Sequence, residues 1–223
     1  MSPTTARVAI SDRDLEVAFE PEEEPGLAGG PVYVEVTISL VDGEPVTVLS
    51  GASRSTSRND DYTFTAAAPG DVTLRDPFAD AVELGGVEFP RELTAGTPLT
   101  ERVLLNQFLT LEDLVGAQPD GRTTPLTVRA VRRIRQPASG EPTDAPVELQ
   151  IPLRHDDDAL ARWYRDVADT VRAARDGDAV REQRLTELLT ARNHLATDAL
   201  ETLTGHPDPG VAQRVALALS ALG

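Results

Sequence analysis

The spacing of apolar residues changes once along the chain, near residue 154, and this change constrains the fold more than any other feature. Before it, apolar and polar residues alternate in short runs, most clearly over residues 32–40, which is the pattern of half-buried strands. After it, apolar residues recur every three or four positions, as in amphipathic helices. The sequence therefore predicts an α+β protein with a β domain over residues 1–153 and a helical domain over residues 154–223.

Short strands separated by turns, without helices between them, characterise the first 153 residues. Asp42-Gly43 is a strong hairpin signal and joins the runs at 32–40 and 45–49. The spacing of the strands is typical of an antiparallel sandwich. The predicted strands are 15–19, 32–40, 45–49, 62–65, 72–74, 81–84, 101–105, 126–134 and 147–153.

Helix caps divide the C-terminal part into four segments. Asp156 is placed to cap the first helix, Asp178 the second (179–192) and Asp208 the fourth, whose first residue is Pro209. The third helix is predicted over 195–204. Short links between the helices indicate antiparallel helical hairpins. The apolar stripe predicted for the first helix is Leu160, Trp163, Val167, Val171 and Ala174.

Two parts of the chain resemble known bacterial domains. The segment 193–223, together with the preceding helix Leu185-x-x-Leu188-Leu189 and through the turn Gly205-His206-Pro207-Asp208-Pro209, resembles a HEAT-type repeat. The runs at 30–38, 104–108 and 126–131 are similar to those of Ig-like sandwich domains. The resemblance implies an Ig-like sandwich followed by a short HEAT-like array. Some domains of this general type bind proteinases or act as adhesion modules, but no residue-specific inhibitory motif carries over, so the resemblance concerns the fold alone.

Composition excludes several kinds of chemistry. The chain has no cysteine, and all 21 of its basic residues are arginine. Zinc–thiolate sites, thiol nucleophiles, Schiff-base lysines and P-loop lysines are therefore impossible. The net charge of −16 argues against nucleic acid as a partner. No apolar run is long enough for a membrane helix, and no basic leader precedes an apolar segment, so a cytoplasmic protein is expected.

One group of basic residues stands out in the acidic β domain: Arg129, Arg132, Arg133 and Arg135. On a strand, Arg132 faces away from the other three. The group either pairs with carboxylates of the same chain or binds an acidic partner, and its members are candidate partner-binding residues. Two further candidates are Trp163 and Tyr164, of which Trp163 is predicted to lie between the two domains.

Metal and catalytic sites have weak support. Asn59, Asp60 and Asp61 with Asp71 supply oxygen atoms for calcium, but the spacing is not that of an EF-hand. Asp60, Asp61 and His155 are the material for a metal-dependent hydrolase. No G-x-S-x-G elbow is present. We expect no catalytic residue, metal or cofactor.

The sequence thus predicts a non-enzymatic binding or scaffold protein that acts through another protein, within a hetero-complex and without nucleic acid or membrane. A first alternative is a proteinase inhibitor that presents a loop of the sandwich, at residues 50–59 or 116–124. The second alternative is the small hydrolase.

Overall fold

The computed structural model describes residues 3–21, 25–53, 58–68, 72–80, 86–137 and 141–222. The chain is α+β, with strands preceding helices, which confirms the predicted fold class. It falls into two compact units. The predicted limits of autonomous domains, 1–153 and 154–223, stay a prediction. The sheet unit comprises residues 1–24, 32–110 and 125–152, and the helical unit comprises residues 25–31, 111–124 and 153–223.

The strands form two four-stranded sheets and one two-stranded sheet in a sandwich-like arrangement. The strands are β1 Thr4–Ile10, β2 Arg13–Pro21, β3 Gly26–Leu27, β4 Tyr33–Leu40, β5 Val46–Ser53, β6 Tyr62–Ala67, β7 Gly86–Leu93, β8 Leu99–Leu104, β9 Thr123–Ile134 and β10 Thr143–Arg154. Their orders in the sheets are β1-β2-β4-β8, β3-β10-β9-β6 and β5-β7. Pairs with a defined register are antiparallel except β3–β10, which is parallel.

Alternation along the inner strands builds the core of the sheet unit. In β4, the even-numbered residues from Val34 to Leu40 are buried, and in β2 the buried set includes Leu15, Val17 and Phe19. β9 buries every second residue from Thr124 to Ile134. Because successive side chains of a strand point to opposite faces, the period-2 pattern of the sequence translates directly into one buried face per sheet.

The predicted hairpin at Asp42-Gly43 is wrong. Gly43 makes a turn with φ of +96°, but β4 already has β2 on one side and β8 on the other. Since a strand has only two edges, β5 pairs elsewhere, with β7. The hairpin at the start of the chain instead turns through Ser11-Asp12, both with positive φ, as a two-residue primed turn requires.

Other strand predictions had mixed outcomes. β1 and β7 were not predicted, because β1 alternates weakly and β7 contains Pro90. The run at 72–74 contributes only a single bridge, between Ala67 and Thr73. The run at 81–84 lies outside the described residues, as does part of the 50–59 segment. The remaining predicted strands are confirmed.

Three of the described helices, the first, second and fourth, begin where the predicted caps place them. Asp156 accepts a hydrogen bond from the amide of Ala159 at 2.8 Å, and Asp178 and Asp208 cap the next helix and the last one. Such caps satisfy amide donors that have no partner within the helix. The described helices are α1 Asp157–Ala173, α2 Ala179–Leu189, α3 Thr197–Glu201 and α4 Pro209–Leu222, with 3₁₀ turns at Leu105–Gln107, Leu111–Leu114 and His194–Ala196.

The core of the helical unit draws on residues from outside the four helices. Leu27 and Val115 pack against the helical core, although both precede residue 154. In α1 the buried stripe contains Tyr164 in place of Trp163 and Ala174, which corrects the predicted stripe. Among the described residues, no helix combines the length and apolar character needed to cross a membrane.

Candidate functional site

The arginines of β9 separate into exposed and buried members, as strand alternation predicts. Arg129 and Arg133 are exposed, and Arg133 approaches Asp144 at 3.6 Å. Arg135 follows the strand and keeps 30% of its side chain exposed. Arg132 has no exposed surface at all. A side chain without exposed surface cannot contact a partner, so Arg132 is corrected from a candidate binding residue to an interior one.

Asp61 is the buried counter-charge of these arginines. Its side chain is 1% exposed, and its Oδ2 atom lies 3.1 Å from Nη1 of Arg132. Nε of Arg135 donates to its Oδ1 atom at 2.7 Å, and the amide of Gly51 donates to Oδ2 at 3.3 Å. Burying a carboxylate requires such compensation, because desolvation of an unpaired charge is costly. The intramolecular pairing of Arg132 and Arg135 therefore accounts for two of the four arginines.

Glu101 is the second carboxylate of this network. The hydroxyl groups of Ser50 and Tyr62 both donate to it, and the side-chain amide of Asn59 donates at 3.4 Å. Nη2 of Arg132 lies 3.4 Å from Glu101 in an ion pair without a directed hydrogen bond. Burial, with smaller effects of the nearby charges, holds the pKa of Tyr62 well above its ordinary value, so its hydroxyl stays a donor.

The network joins strands from all three sheets. Ser50 belongs to β5, Tyr62 to β6, Glu101 to β8 and Arg132 to β9. The guanidinium of Arg132 also lies over the ring of Tyr62, 4.8 Å from its centroid. Since the strands are far apart in sequence, these contacts fix the sheets of the unit relative to one another, a structural role.

A cleft of about 320 Å³ opens beside Glu101, and we name it the Glu101 cleft. Its lining is mixed and contains polar side chains, among them that of Glu101, together with the aromatic rings of Tyr62, Phe89 and Phe108. Phe89, at 52% exposure, is among the most exposed large apolar residues described. The lining residues are Ser50, Gly51, Asn59, Tyr62, Phe89, Glu101, Arg102, Val103, Gln107 and Phe108.

Trp163 and Tyr164 differ in their surroundings. Trp163 is partly buried and packs against the helical core, and the prediction that it lies between two domains is untested. Tyr164 is fully buried; its hydroxyl donates to the carbonyl of Gly29 at 2.8 Å and accepts from the Asn193 amide at 2.7 Å. Both hydrogen bonds lie within the helical unit. A buried hydroxyl with two satisfied partners supports the fold rather than binding.

A second concave surface lies on the helical unit, between α4 and the ends of α2 and α3. This groove has a volume of about 460 Å³, and we name it the α4 groove. Leu217 on its wall is 64% exposed. The lining residues are Leu189, Arg192, Leu200, Arg214, Leu217, Ala218, Ala221 and Leu222.

The metal and hydrolase candidates are not assembled in the described part of the chain. Asp61 is engaged by arginines, and Asp71 lies outside the described residues. His155 belongs to the helical unit, where its Nε2 atom is 2.8 Å from the hydroxyl of Thr124, and burial lowers its pKa. The described residues contain no group of acidic or histidine side chains that could hold a metal ion.

The two proposed inhibitor loops are partly regular structure. Residues 50–53 belong to β5, and the segment at 116–124 is tied to residue 155 by two backbone hydrogen bonds, from Gly121 to His155 and from His155 to Arg122. The inhibitor alternative stays a prediction that no observation favours.

Sequence reasoning missed Glu101, Phe89 and Leu217. Glu101 and Phe89 belong to strands whose pairing is set over long distances, so no local pattern marked them. Leu217 had a signal: α4 is apolar on almost every side, with alanine, valine or leucine at nine of its 14 positions, whereas a helix at a surface normally has a polar face. No protein-family model matches the chain, and neither does any curated protein.

Proposed function

We propose that this chain is a non-enzymatic binding or scaffold protein, whose helical unit receives an amphipathic helix of a partner protein in the α4 groove. The observation that carries the proposal is the exposure of Leu217, at 64%, on the wall of an apolar groove. The proposal is for a cytoplasmic hetero-complex and invokes no nucleic acid, membrane or cofactor.

The apolar excess of α4 supports this assignment. Only Val211 and Val215 of the helix are buried, although most of its residues are apolar. Apolar surface contributes about 25 cal/mol per Å² when it is removed from water. Helix-in-groove recognition uses apolar side chains at positions i, i+3, i+4 and i+7 of the incoming helix.

The rim of the groove indicates the charge of the partner. Among the described residues that line it, Arg192 and Arg214 are basic and none is acidic. Arg214 pairs with Glu182 at 2.9 Å and keeps 42% of its side chain exposed. Arginine forms planar, paired hydrogen bonds to carboxylates, so a helix with glutamate beside its apolar stripe is favoured. The net charge of −16 opposes self-association.

The HEAT-like resemblance of the helical unit and the Ig-like resemblance of the sheet unit are part of the same proposal. HEAT-type hairpins bind partners along their helical faces, and an α4 groove is consistent with that use. Of the other candidate residues, Arg129 and Arg133 are exposed and stay available for a separate contact of the sheet unit, whereas Arg135 is held by Asp61 and Glu88.

The test uses a designed peptide of roughly 16 residues, with leucine at i, i+3, i+4 and i+7 and flanking glutamates, and a twin with lysine for glutamate. Burial of the exposed part of Leu217 contributes about 1–2 kcal/mol, and Leu217→Asp also places a charge in the groove. We expect Leu217→Asp to weaken binding by at least about tenfold.

Val180→Asp is the matched control, because Val180 is 54% exposed on α2 and does not line the groove. It should leave the affinity unchanged, and the lysine peptide should bind more weakly than the glutamate peptide. Equal effects of the two aspartate variants would refute the assignment. A dimer of the unmodified protein in sedimentation, with a monomer for Leu217→Asp, would also refute it, because the groove would then hold a second copy of the chain.

A further inference from the structure

The Glu101 cleft combines features that the structural network alone does not require. Glu101 keeps 16% of its side chain exposed at the cleft, and Phe89 stands beside it with half of its surface in solvent. Val103 and Phe108 add apolar surface. A cleft that combines apolar walls with a few placed polar groups is the usual form of a specific binding site.

Among the described residues, the ionic network behind the cleft has one carboxylate more than it has guanidinium groups. The carboxylates are those of Asp61, Glu101 and Glu88, and the guanidinium groups are those of Arg132 and Arg135. The surrounding unit has the same sign, with 22 acidic residues against 11 arginines. An incoming cation is therefore attracted at long range and compensates the network at short range.

Glu101 has capacity for another donor. A carboxylate has about four acceptor positions. The contacts from Asn59 and from Nη2 of Arg132 are both long, at 3.4 Å, whereas normal N–H···O hydrogen bonds measure about 2.9 Å. The Arg102 side chain does not compete: neighbouring side chains on a strand face opposite ways, and its guanidinium lies over Tyr33, 3.6 Å from the ring centroid.

Phe89 is not exposed for strand addition. Leu49 of β5 lies opposite Pro90 of β7, but its backbone amide points away from β7 and donates to the carbonyl of Arg135. The two residues therefore form a non-hydrogen-bonded pair, in which the nitrogen of Pro90 faces the outer edge of β7. Proline has no amide hydrogen, and the edge of β7 is interrupted there. The ring of Phe89 is thus offered for side-chain contact rather than for pairing of the backbone.

We propose that the Glu101 cleft binds an arginine side chain of a protein partner, with the guanidinium hydrogen-bonded to Glu101 and stacked on Phe89. Arginine suits both contacts, because its planar group forms paired hydrogen bonds to carboxylates and lies flat on aromatic rings. The site lies in the sheet unit, so it is independent of the α4 groove.

The test is a titration of the protein with the peptide acetyl-Gly-Arg-Gly-amide. Binding is measured from the shifts of the backbone amide NMR signals of residues 50, 51 and 101. Its control is the same peptide with citrulline, which has the shape of arginine without the charge. We expect dissociation constants in the roughly millimolar range for arginine, and at least about fivefold weaker binding for citrulline.

Two variants locate the site. Phe89→Ala should weaken binding about threefold or more, whereas Val87→Ala, on the same strand at 37% exposure and outside the cleft, should not. Glu101→Gln should remove the preference for arginine over citrulline. Because Glu101 also supports the fold, Phe89→Ala keeps the test decisive if Glu101→Gln does not fold. Equal binding of the two peptides, tighter binding of a lysine peptide, or equal effects of the alanine variants would each overturn the proposal.

Discussion

Removal of the Arg132 side chain is the most direct test of the buried network. Arg132→Met retains much of the volume and deletes the charge. The change removes the 3.1 Å ion pair with Asp61, the 3.4 Å pair with Glu101 and the 2.7 Å hydrogen bond to the carbonyl of residue 133. Breaking a buried ion pair by removing one partner typically costs 3–5 kcal/mol, because the other charge stays buried.

The expected cost lies at the lower end of that range, because neither carboxylate loses all of its partners. Asp61 keeps Arg135, and Glu101 keeps the hydroxyls of Ser50 and Tyr62. We therefore expect a loss of about 3 kcal/mol in the free energy of unfolding of the sheet unit. For a unit of this size the melting temperature should fall by roughly 10 °C.

The assay is urea denaturation monitored by far-UV circular dichroism, which reports the strands and the helices together, and by fluorescence of Trp163, the one tryptophan of the chain. Trp163 belongs to the helical unit, so its signal separates the two units. Arg129→Met is the control, on the same strand with an exposed side chain, and should cost less than about 0.5 kcal/mol. Equal midpoints for the two variants, with equal slopes, would show that the network does not hold the sheets.

Two further predictions concern the helical unit. Gly29→Ala should destabilise it by about 2 kcal/mol or more, because φ of Gly29 is +82° and an added Cβ would lie 2.3 Å from the side chain of Val115. Gly116 also has a positive φ but faces open space, so Gly116→Ala should cost about 1 kcal/mol. Thermal melts of both variants check this difference. Burial raises the pKa of Glu112 to about 7. The folded protein therefore binds a proton at Glu112 more tightly than the unfolded chain does. The resulting contribution to the free energy of unfolding is complete below pH 4.5 and is lost as pH rises through 7. Glu112→Gln should remove that pH dependence. After allowance for partial exposure, it should raise the free energy of unfolding by about 1 kcal/mol at pH 8, as measured from urea midpoints across pH. An unchanged pH profile would contradict the assignment.

Local patterns predicted the parts of the fold that depend on local chemistry. The alternation in β2, β4, β9 and β10 and the caps at Asp156, Asp178 and Asp208 depend on neighbouring residues, and all of them are confirmed. The prediction of a hairpin at Asp42-Gly43 was wrong because both edges of β4 are already paired, with β2 and β8, so that β5 pairs with β7. No local motif encodes this long-range pairing.

The candidate sites were less predictable for the same reason. Alternation in β9 placed Arg132 on the face of Val128 and Ala130, and this signal indicates a buried cation in need of a carboxylate. It could not name Asp61 or Glu101, which are 71 and 31 positions away along the chain. Likewise, nothing before residue 154 marked the segments at 25–31 and 111–124 as members of the helical unit.

The absence of lysine has different consequences at different positions. Arg132 reaches Asp61 through Nη1 and Glu101 through Nη2, so two nitrogens of one planar group connect carboxylates on separate strands. Arg181 contacts Asp176, Glu182 and Asp208 through Nη2 alone. A lysine ammonium is a single point charge and could replace the second arrangement but not the first. A bias in composition is therefore enough to explain arginine at position 181, whereas at Arg132 the geometry of the buried network requires it.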